Sequence, residues 1–153
     1  MRVFVVVAAM LLTALAGAAP ASAAAAPLVG AASGRCLNVR GGTDAPGTAL
    51  EIQDCGGQAG QAYEFTAAGE LRTLNGTRCV DANGNGTSPG TAAIIWSCHG
   101  GANQQWRQNA DGTITGVQSG LCLDASGAGT ANGTRIQLWS CHGGTNQQWS
   151  LRS

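Results

Sequence analysis

Lysine is absent from this sequence, and its eight basic residues, all arginine, are matched by eight Asp and Glu. With zero formal net charge and only 10% charged residues, the chain has no electrostatic footprint for DNA, RNA or an anionic membrane surface. Neither nucleic acid nor membrane is therefore expected as a partner. Aromatics are scarce as well: four Trp, two Phe and one Tyr. Few large apolar side chains make a small core, which covalent staples commonly support. Distinctive nucleophile contexts for Ser or Cys are also missing, so catalysis is not expected. The Gly-rich run Gly84-Asn85-Gly86-Thr87 lacks the Lys and the following helix of a phosphate loop, and is a turn.

Only one long apolar run occurs, residues 3–19, preceded by Arg2 and followed by Pro20 and the small-x-small sequence Ala21-Ser22-Ala23. That pattern predicts a signal peptide over residues 1–23 and a soluble, secreted, extracellular protein over 24–153; the run is short for a membrane span.

Glycine and cysteine dominate what is there. The 24 Gly fit a turn-rich all-β protein better than a helical one. Six Cys, an even number in an oxidising compartment, imply a disulfide framework. They stand at 36, 55, 79, 98, 122 and 141, so that each pair spans 19 positions and equivalent members recur every 43. Three such units account for nearly all of residues 24–153, about 28–69, 70–112 and 113–153. Six Cys allow fifteen pairings; the repeat makes Cys36–Cys55, Cys79–Cys98 and Cys122–Cys141 the simplest, each worth roughly 3 kcal/mol on the chain-entropy model.

Other columns keep the same register. Gly-Thr recurs at 47–48, 90–91 and 133–134, an aliphatic at Ile52, Ile95 and Leu138, and an aromatic at Tyr63, Trp106 and Trp149. Leu28, Leu71 and Ile114 match, as do Ala31, Leu74 and Val117. Each unit is expected to form about four short strands separated by turns, in the second unit near 78–82, 92–98, 105–109 and 113–117. The third unit has no counterpart of the fourth strand, whereas the segment from Leu28 matches it. That segment is expected to pair beside the C-terminal unit and leave no open edge.

The second and third units carry near-identical stretches, Trp96-Ser97-Cys98-His99-Gly100-Gly101-Ala102-Asn103-Gln104-Gln105-Trp106 and Trp139-Ser140-Cys141-His142-Gly143-Gly144-Thr145-Asn146-Gln147-Gln148-Trp149. The first unit divides their residues into two sets. Cys, Gly-Thr, the aliphatic and the core aromatic persist there, and Gln61 persists beside Gln104 and Gln147. Asp81 and Asp124 become Asn38, Trp96 and Trp139 become Gln53, His99 and His142 become Gly56, and Asn103 and Asn146 become Gly60. Coupled loss points to one site, present twice and absent once. An indole offers an apolar platform to the C–H face of a pyranose, a carboxylate accepts strongly from hydroxyls, and Asn and His supply both donor and acceptor character. The combination suits a shallow carbohydrate pocket.

Competing chemistries fit less well. Zinc at Cys98-His99 and Cys141-His142 does not explain a first unit that keeps its Cys without any His. An Asp81–His99 catalytic pair has no accompanying nucleophile, and a glycosidase needs two carboxylates at one site where each unit offers one. The sequons at Asn75, Asn85 and Asn132 are equally Asn-Gly turns.

The run Cys122-Leu123-Asp124, the segment from Gln137 to His142, and the recurring Gln-x-Trp (104–106, 147–149, weakened to Gln61-Ala62-Tyr63) resemble the ricin B-type lectin repeat. They are also similar to the family-13 carbohydrate-binding modules attached to secreted xylanases and related glycosidases. The resemblance implies a β-trefoil, a six-stranded barrel capped by three hairpins. It implies one sugar site from Asp81, Trp96, His99 and Asn103, and another from Asp124, Trp139, His142 and Asn146, supported by Gln104 and Gln147. No cofactor, metal or catalytic residue is implied, and the first unit is expected to hold no site. The expected partner is a polysaccharide or glycan of xylan or galactose type, with a separately encoded glycosidase as a compatible second partner. The alternative is a trefoil used as a protein-interaction or protease-inhibitor scaffold with vestigial pockets.

Overall fold

The computed structural model describes residues 24–153 and, before them, Gly17; the expected signal peptide otherwise lies outside the described residues. Alternation of apolar and polar side chains, broken every few residues by Gly-containing turns, gives twelve strands of three to five residues. They are β1 (Ala26–Gly30), β2 (Cys36–Val39), β3 (Leu50–Gln53), β4 (Ala62–Phe65), β5 (Leu71–Thr73) and β6 (Arg78–Ala82), followed by β7 (Ala93–Trp96), β8 (Trp106–Gln108), β9 (Ile114–Gly116), β10 (Cys122–Ala125), β11 (Ile136–Trp139) and β12 (Trp149–Leu151). In the second unit each expected strand is present, trimmed by one or two residues at the ends of three of them.

All sheet pairs are antiparallel. β1 pairs with β4 and β12, β4 with β5, and β8 with β9. A bridge between Glu70 and Gln105 joins the β5 and β8 edges, and the Trp149 N–H donates to Gly112 O at 2.8 Å beside β9. Six strands thus close on one another. The N-terminal segment completes the ring through Leu28↔Leu151, Val29↔Ser150 and Gly30↔Trp149, as its match to a missing fourth strand predicts. The hairpins β2–β3, β6–β7 and β10–β11 form the second layer. This is a β-trefoil.

Its core repeats with the sequence. Leu28, Leu71 and Ile114 are fully buried, and so are Leu37, Val80 and Leu123, and Ile52, Ile95 and Leu138. Tyr63, Trp106 and Trp149 fill the same cluster. The Trp106 and Trp149 indole N–H groups donate to Val80 O and Leu123 O at 2.9 and 3.0 Å, satisfying the polar edge of a buried ring. The column of Ala31, Leu74 and Val117 does not behave as one: Leu74 is buried while Val117 is 46% exposed. The strands stop before it, and Leu74 takes a left-handed turn conformation with φ of 53°.

Cys36–Cys55, Cys79–Cys98 and Cys122–Cys141 are the disulfides, with Cα separations of 5.1, 5.1 and 5.2 Å. Each joins the start of a hairpin's first strand to the loop after its second.

The recurring Gly-Thr pairs do more than feed a strand. Gly47, Gly90 and Gly133 have φ near +90° (89°, 93° and 85°), which glycine tolerates. Their N–H groups donate to Ile95 O, Leu138 O and Ile52 O, each in a neighbouring unit, at 2.7–2.8 Å. The N–H groups of Ile95, Leu138 and Ile52 donate back to Thr48 O, Thr91 O and Thr134 O. The pair is the stitch between units.

Candidate functional site

Strand pairing decides which side chains share a face. In β6–β7 the register sets Cys79 opposite Trp96 and Asp81 opposite Ile94. In β10–β11 it sets Cys122 opposite Trp139 and Asp124 opposite Gln137. With period two, these residues face away from the side on which Val80 and Ile95, or Leu123 and Leu138, enter the core. The outward face of each hairpin therefore carries a carboxylate two residues from a Cys, and an indole across from that Cys.

The carboxylates are buried although their faces look outward: Asp81 is 4% and Asp124 2% exposed. Asn103 and Gln104, on the short turn before β8, donate to Asp81 Oδ2 at 2.9 and 2.8 Å. Asn146 and Gln147 donate to Asp124 Oδ2 at 3.0 and 2.8 Å. Burial raises the Asp81 pKa above the ordinary carboxylate value, opposed by the hydrogen bonds from Gln104 and Asn103 and by the adjacent His99.

Each His stands at the rim. His99 Nε2 lies 3.7 Å from Asp81 Oδ2, and His142 Nε2 3.7 Å from Asp124 Oδ2, too far for a direct hydrogen bond. The Nδ1 atoms accept from the Gly101 and Gly144 N–H groups at 3.0 and 3.1 Å. That contact places the ring proton on Nε2, which points at the carboxylate and the open cleft. It also requires glycine, since a Cβ at Gly101 would lie 2.6 Å from His99 Cε1.

Trp96 and Trp139 are 43% and 42% exposed, far more than the core Trp at 3%. The stitching turn of the preceding unit backs each ring: a Cβ at Gly47 would stand 3.5 Å from Trp96 Cζ3, and one at Gly90 3.9 Å from Trp139 Cζ3.

The expected site residues thus converge on two open clefts. Asp81, Trp96, His99 and Asn103 line one of about 280 Å³, and Asp124, Trp139, His142 and Asn146 line one of about 450 Å³. Gln104 and Gln147 are fully buried and lie beneath the clefts. Gln104 bonds Ser97 O and the His99 N–H at 2.9 Å each, and Gln147 bonds Ser140 O and the His142 N–H at 2.9 and 3.0 Å. Gln61 makes the same two loop bonds, to Asp54 O and the Gly56 N–H, at 3.0 and 2.8 Å. Its persistence in the first unit is explained by that loop.

Several lining residues carry no signal in the repeat pattern. The turn Asn83-Gly84-Asn85, which overlaps the run 84–87 read above as a turn, walls the second unit's cleft, and Ser126-Gly127-Ala128 walls the third's. Ile94 and Gln137 occupy equivalent floor positions. Their types differ, so the column shows no motif; only its place two residues before the exposed Trp marks it.

In the first unit other groups take these positions. Asn38 donates to Glu51 Oε1 at 3.3 Å, and Arg40 pairs with Glu51 at 2.8 Å. The Gln58 side chain lies over Gly56, where a Cβ would come within 2.7 Å of Gln58 Nε2. Gly60 packs against Val39, whose Cβ would stand 3.2 Å from a Cβ there. The other units place Ala82 and Ala125 at the Val39 position, which leaves room for Asn103 and Asn146. The lost polar residues are matched by changes in packing.

Each of the two clefts is lined by a single carboxylate among the described residues, and no group of three or more His, Cys, Asp or Glu could hold a metal ion there. No helix of the described residues is long and apolar enough to cross a membrane.

Comparison with known proteins adds four likenesses. The family model of the ricin-type beta-trefoil lectin domain matches residues 24–149. No curated protein matches the chain. Among solved structures, the designed three-fold symmetric protein ThreeFoil is 30% identical with a TM-score of 0.80, over 84% of this chain and 98% of that one. The exo-beta-1,3-galactanase 1,3Gal43A from Clostridium thermocellum is 26% identical with a TM-score of 0.75, over 84% of this chain and 30% of the enzyme chain. The C-half of the earthworm R-type lectin, solved in complex with GalNAc, shares the fold at 19% identity and a TM-score of 0.70, over 84% and 97%.

Proposed function

Because this chain belongs to the ricin-type beta-trefoil lectin domain family, we propose that it is an exported, non-catalytic sugar-binding protein with two sites, one in the second unit and one in the third. The observation that carries the reading is the coupling of geometry to sequence. The four residue types lost together from the first unit meet in a single cleft in each of the other two.

Binding follows from the parts. The C–H face of a pyranose stacks on Trp96 or Trp139; covering roughly 60 Å² of apolar surface is worth about 1.5 kcal/mol. Asp81 or Asp124, held by its Asn and Gln donors, keeps acceptor capacity for ring hydroxyls. The His Nε2–H supplies a donor in each cleft and the second N–H of Asn103 another in the second unit's, whereas Asn146 spends both of its N–H groups on Asp124 Oδ2 and Ala125 O; bonds to a charged acceptor are the stronger ones. Two open clefts give weak single contacts, and a polymer or glycan-covered surface engages both and gains by avidity.

A galactose-type glycan is the first candidate. The galactanase likeness and the GalNAc complex of a structural neighbour support it; xylan-type chains remain on the panel to be tested. The galactanase likeness also supports a role beside a separately encoded glycosidase. Secretion rests on the signal-peptide pattern of residues 1–23. A glycan array and polysaccharide pull-downs on the secreted form test the reading. Binding that depends on Trp96 and Trp139 supports it. Protease inhibition or capture of a protein with no glycan bound favours the interaction-scaffold alternative.

A further inference from the structure

The two clefts share a plan but differ at the floor and the rim. We infer that they are not interchangeable: the third unit's cleft selects for a ring hydroxyl that the second unit's cleft does not read. The inference rests on the reading of both clefts as sugar sites.

The floor differs in what it offers a ligand. Gln137, paired across the hairpin with Asp124, donates from Nε2 to Asp124 Oδ1 at 3.1 Å. One amide N–H and the amide oxygen are left without a partner among the described residues, on a side chain that lines the cleft. Asp124 is then held at both oxygens, Oδ1 by Gln137 and Oδ2 by Asn146 and Gln147. In the second unit the same position is Ile94, which lines its cleft and has no side-chain hydrogen-bonding group. Asp81 accepts only at Oδ2, and no donor among the described residues bonds its Oδ1.

Selectivity follows from the asymmetry of hydrogen bonding. A hydroxyl that meets Gln137 satisfies both a donor and an acceptor, and a sugar lacking it strands them in a site from which water has been pushed. The loss is roughly tenfold or more in affinity. Ile94 meets a C–H as readily as it meets the edge of a hydroxylated carbon, and an apolar surface discriminates weakly. The second cleft therefore accepts deoxy sugars and pentopyranoses beside hexopyranoses. The third takes the fully hydroxylated ring.

The rims differ as well. Asn83 and Asn85 narrow the second cleft to about 280 Å³, whereas Ser126 and Ala128 leave the third at about 450 Å³. Either volume takes one pyranose ring, and the larger third cleft has room for the adjoining residue of a chain as well.

Single-site proteins test this. Trp96→Ala leaves the third unit's cleft and Trp139→Ala leaves the second's. Each is titrated calorimetrically with the methyl glycosides of galactose, glucose, mannose and xylose and with their monodeoxy derivatives. In the third-cleft protein one monodeoxy derivative is expected to bind roughly tenfold or more weakly than its parent, and Gln137→Ile to shrink that ratio to about threefold or less. The second-cleft protein tolerates the same derivative, and Ile94→Gln makes it discriminate, a gain that misfolding does not produce. If the two single-site proteins rank all sugars alike, or Gln137→Ile lowers affinity for every sugar by one factor, the inference is overturned while the sugar-site reading stands. If neither these proteins nor the unaltered chain binds any sugar of the panel or of a glycan array, the reading itself falls and takes the inference with it.

Discussion

Replacing the buried glutamine of each unit by alanine separates what the fold needs from what the site needs. Gln61, Gln104 and Gln147 all brace the loop behind their disulfide by accepting one backbone N–H and donating to one backbone carbonyl. Only Gln104 and Gln147 also donate to a carboxylate, at 2.8 Å each. Gln61→Ala therefore removes two neutral bonds from a loop whose ends reach water, and is expected to cost about 1–2 kcal/mol. In a domain of this size that lowers Tm by roughly 3–8 °C. Gln147→Ala removes those two bonds and a charge-assisted one, so its cost is larger, about 2–4 kcal/mol.

Binding separates the variants more sharply. Gln147→Ala frees Asp124 and the His142 loop, and is expected to lower third-cleft affinity at least tenfold, measured by calorimetry in the Trp96→Ala protein. Gln104→Ala acts in the same way on the second cleft, measured in the Trp139→Ala protein. Gln61→Ala leaves both affinities unchanged. Retained third-cleft affinity in Gln147→Ala, or an equal loss in Gln61→Ala, would refute the division of labour.

Two further outcomes follow from particular contacts. The Asp81 pKa is raised by burial, so the ionised form needed to accept hydroxyls is lost on acidification sooner than for an ordinary Asp. Second-cleft affinity in the Trp139→Ala protein should fall with a midpoint above 3.8, the unshifted value; affinity flat down to that pH contradicts it. The sign for stability is opposite: ionised, buried Asp81 costs stability above its folded pKa, and that cost vanishes as pH drops below the unfolded value. Gly60→Asn should destabilise the first unit by about 1–3 kcal/mol through overpacking, because a Cβ there would stand 3.2 Å from Val39 Cβ. Adding Val39→Ala, the residue type of the other two units, should recover part of that loss in a double-mutant cycle by denaturant unfolding.

The fold was legible because its core and its staples repeat in register. Cys spacing, the aliphatic column and the aromatic column each recur three times, and three coincident periods leave little freedom of architecture. The membership of each cleft was legible for another reason: the first unit lost Asp, Trp, His and Asn together while keeping Cys and Gln. What stayed hidden depends on contacts between units or on turn geometry. Nothing in the Gly-Thr pairs says that Gly47 backs Trp96 across a unit boundary. The turns Asn83–Asn85 and Ser126–Ala128 read as generic turns, because composition does not reveal which way a turn residue points. Ile94 and Gln137 share a column without sharing chemistry, and a search for recurrence passes over them. Ala31, Leu74 and Val117 show the opposite error, a recurrence by position that the packing does not honour.

The central claim, two sugar sites each built on an exposed Trp, is tested most directly by retention of four proteins on immobilised polysaccharides: the unaltered chain, Trp96→Ala, Trp139→Ala and the double variant. Each single variant should be retained more weakly, by far more than the single-site loss because avidity goes with it, and the double variant should pass through unretained while keeping its Tm. Undiminished retention of the folded double variant on any polysaccharide that holds the unaltered chain would contradict the account.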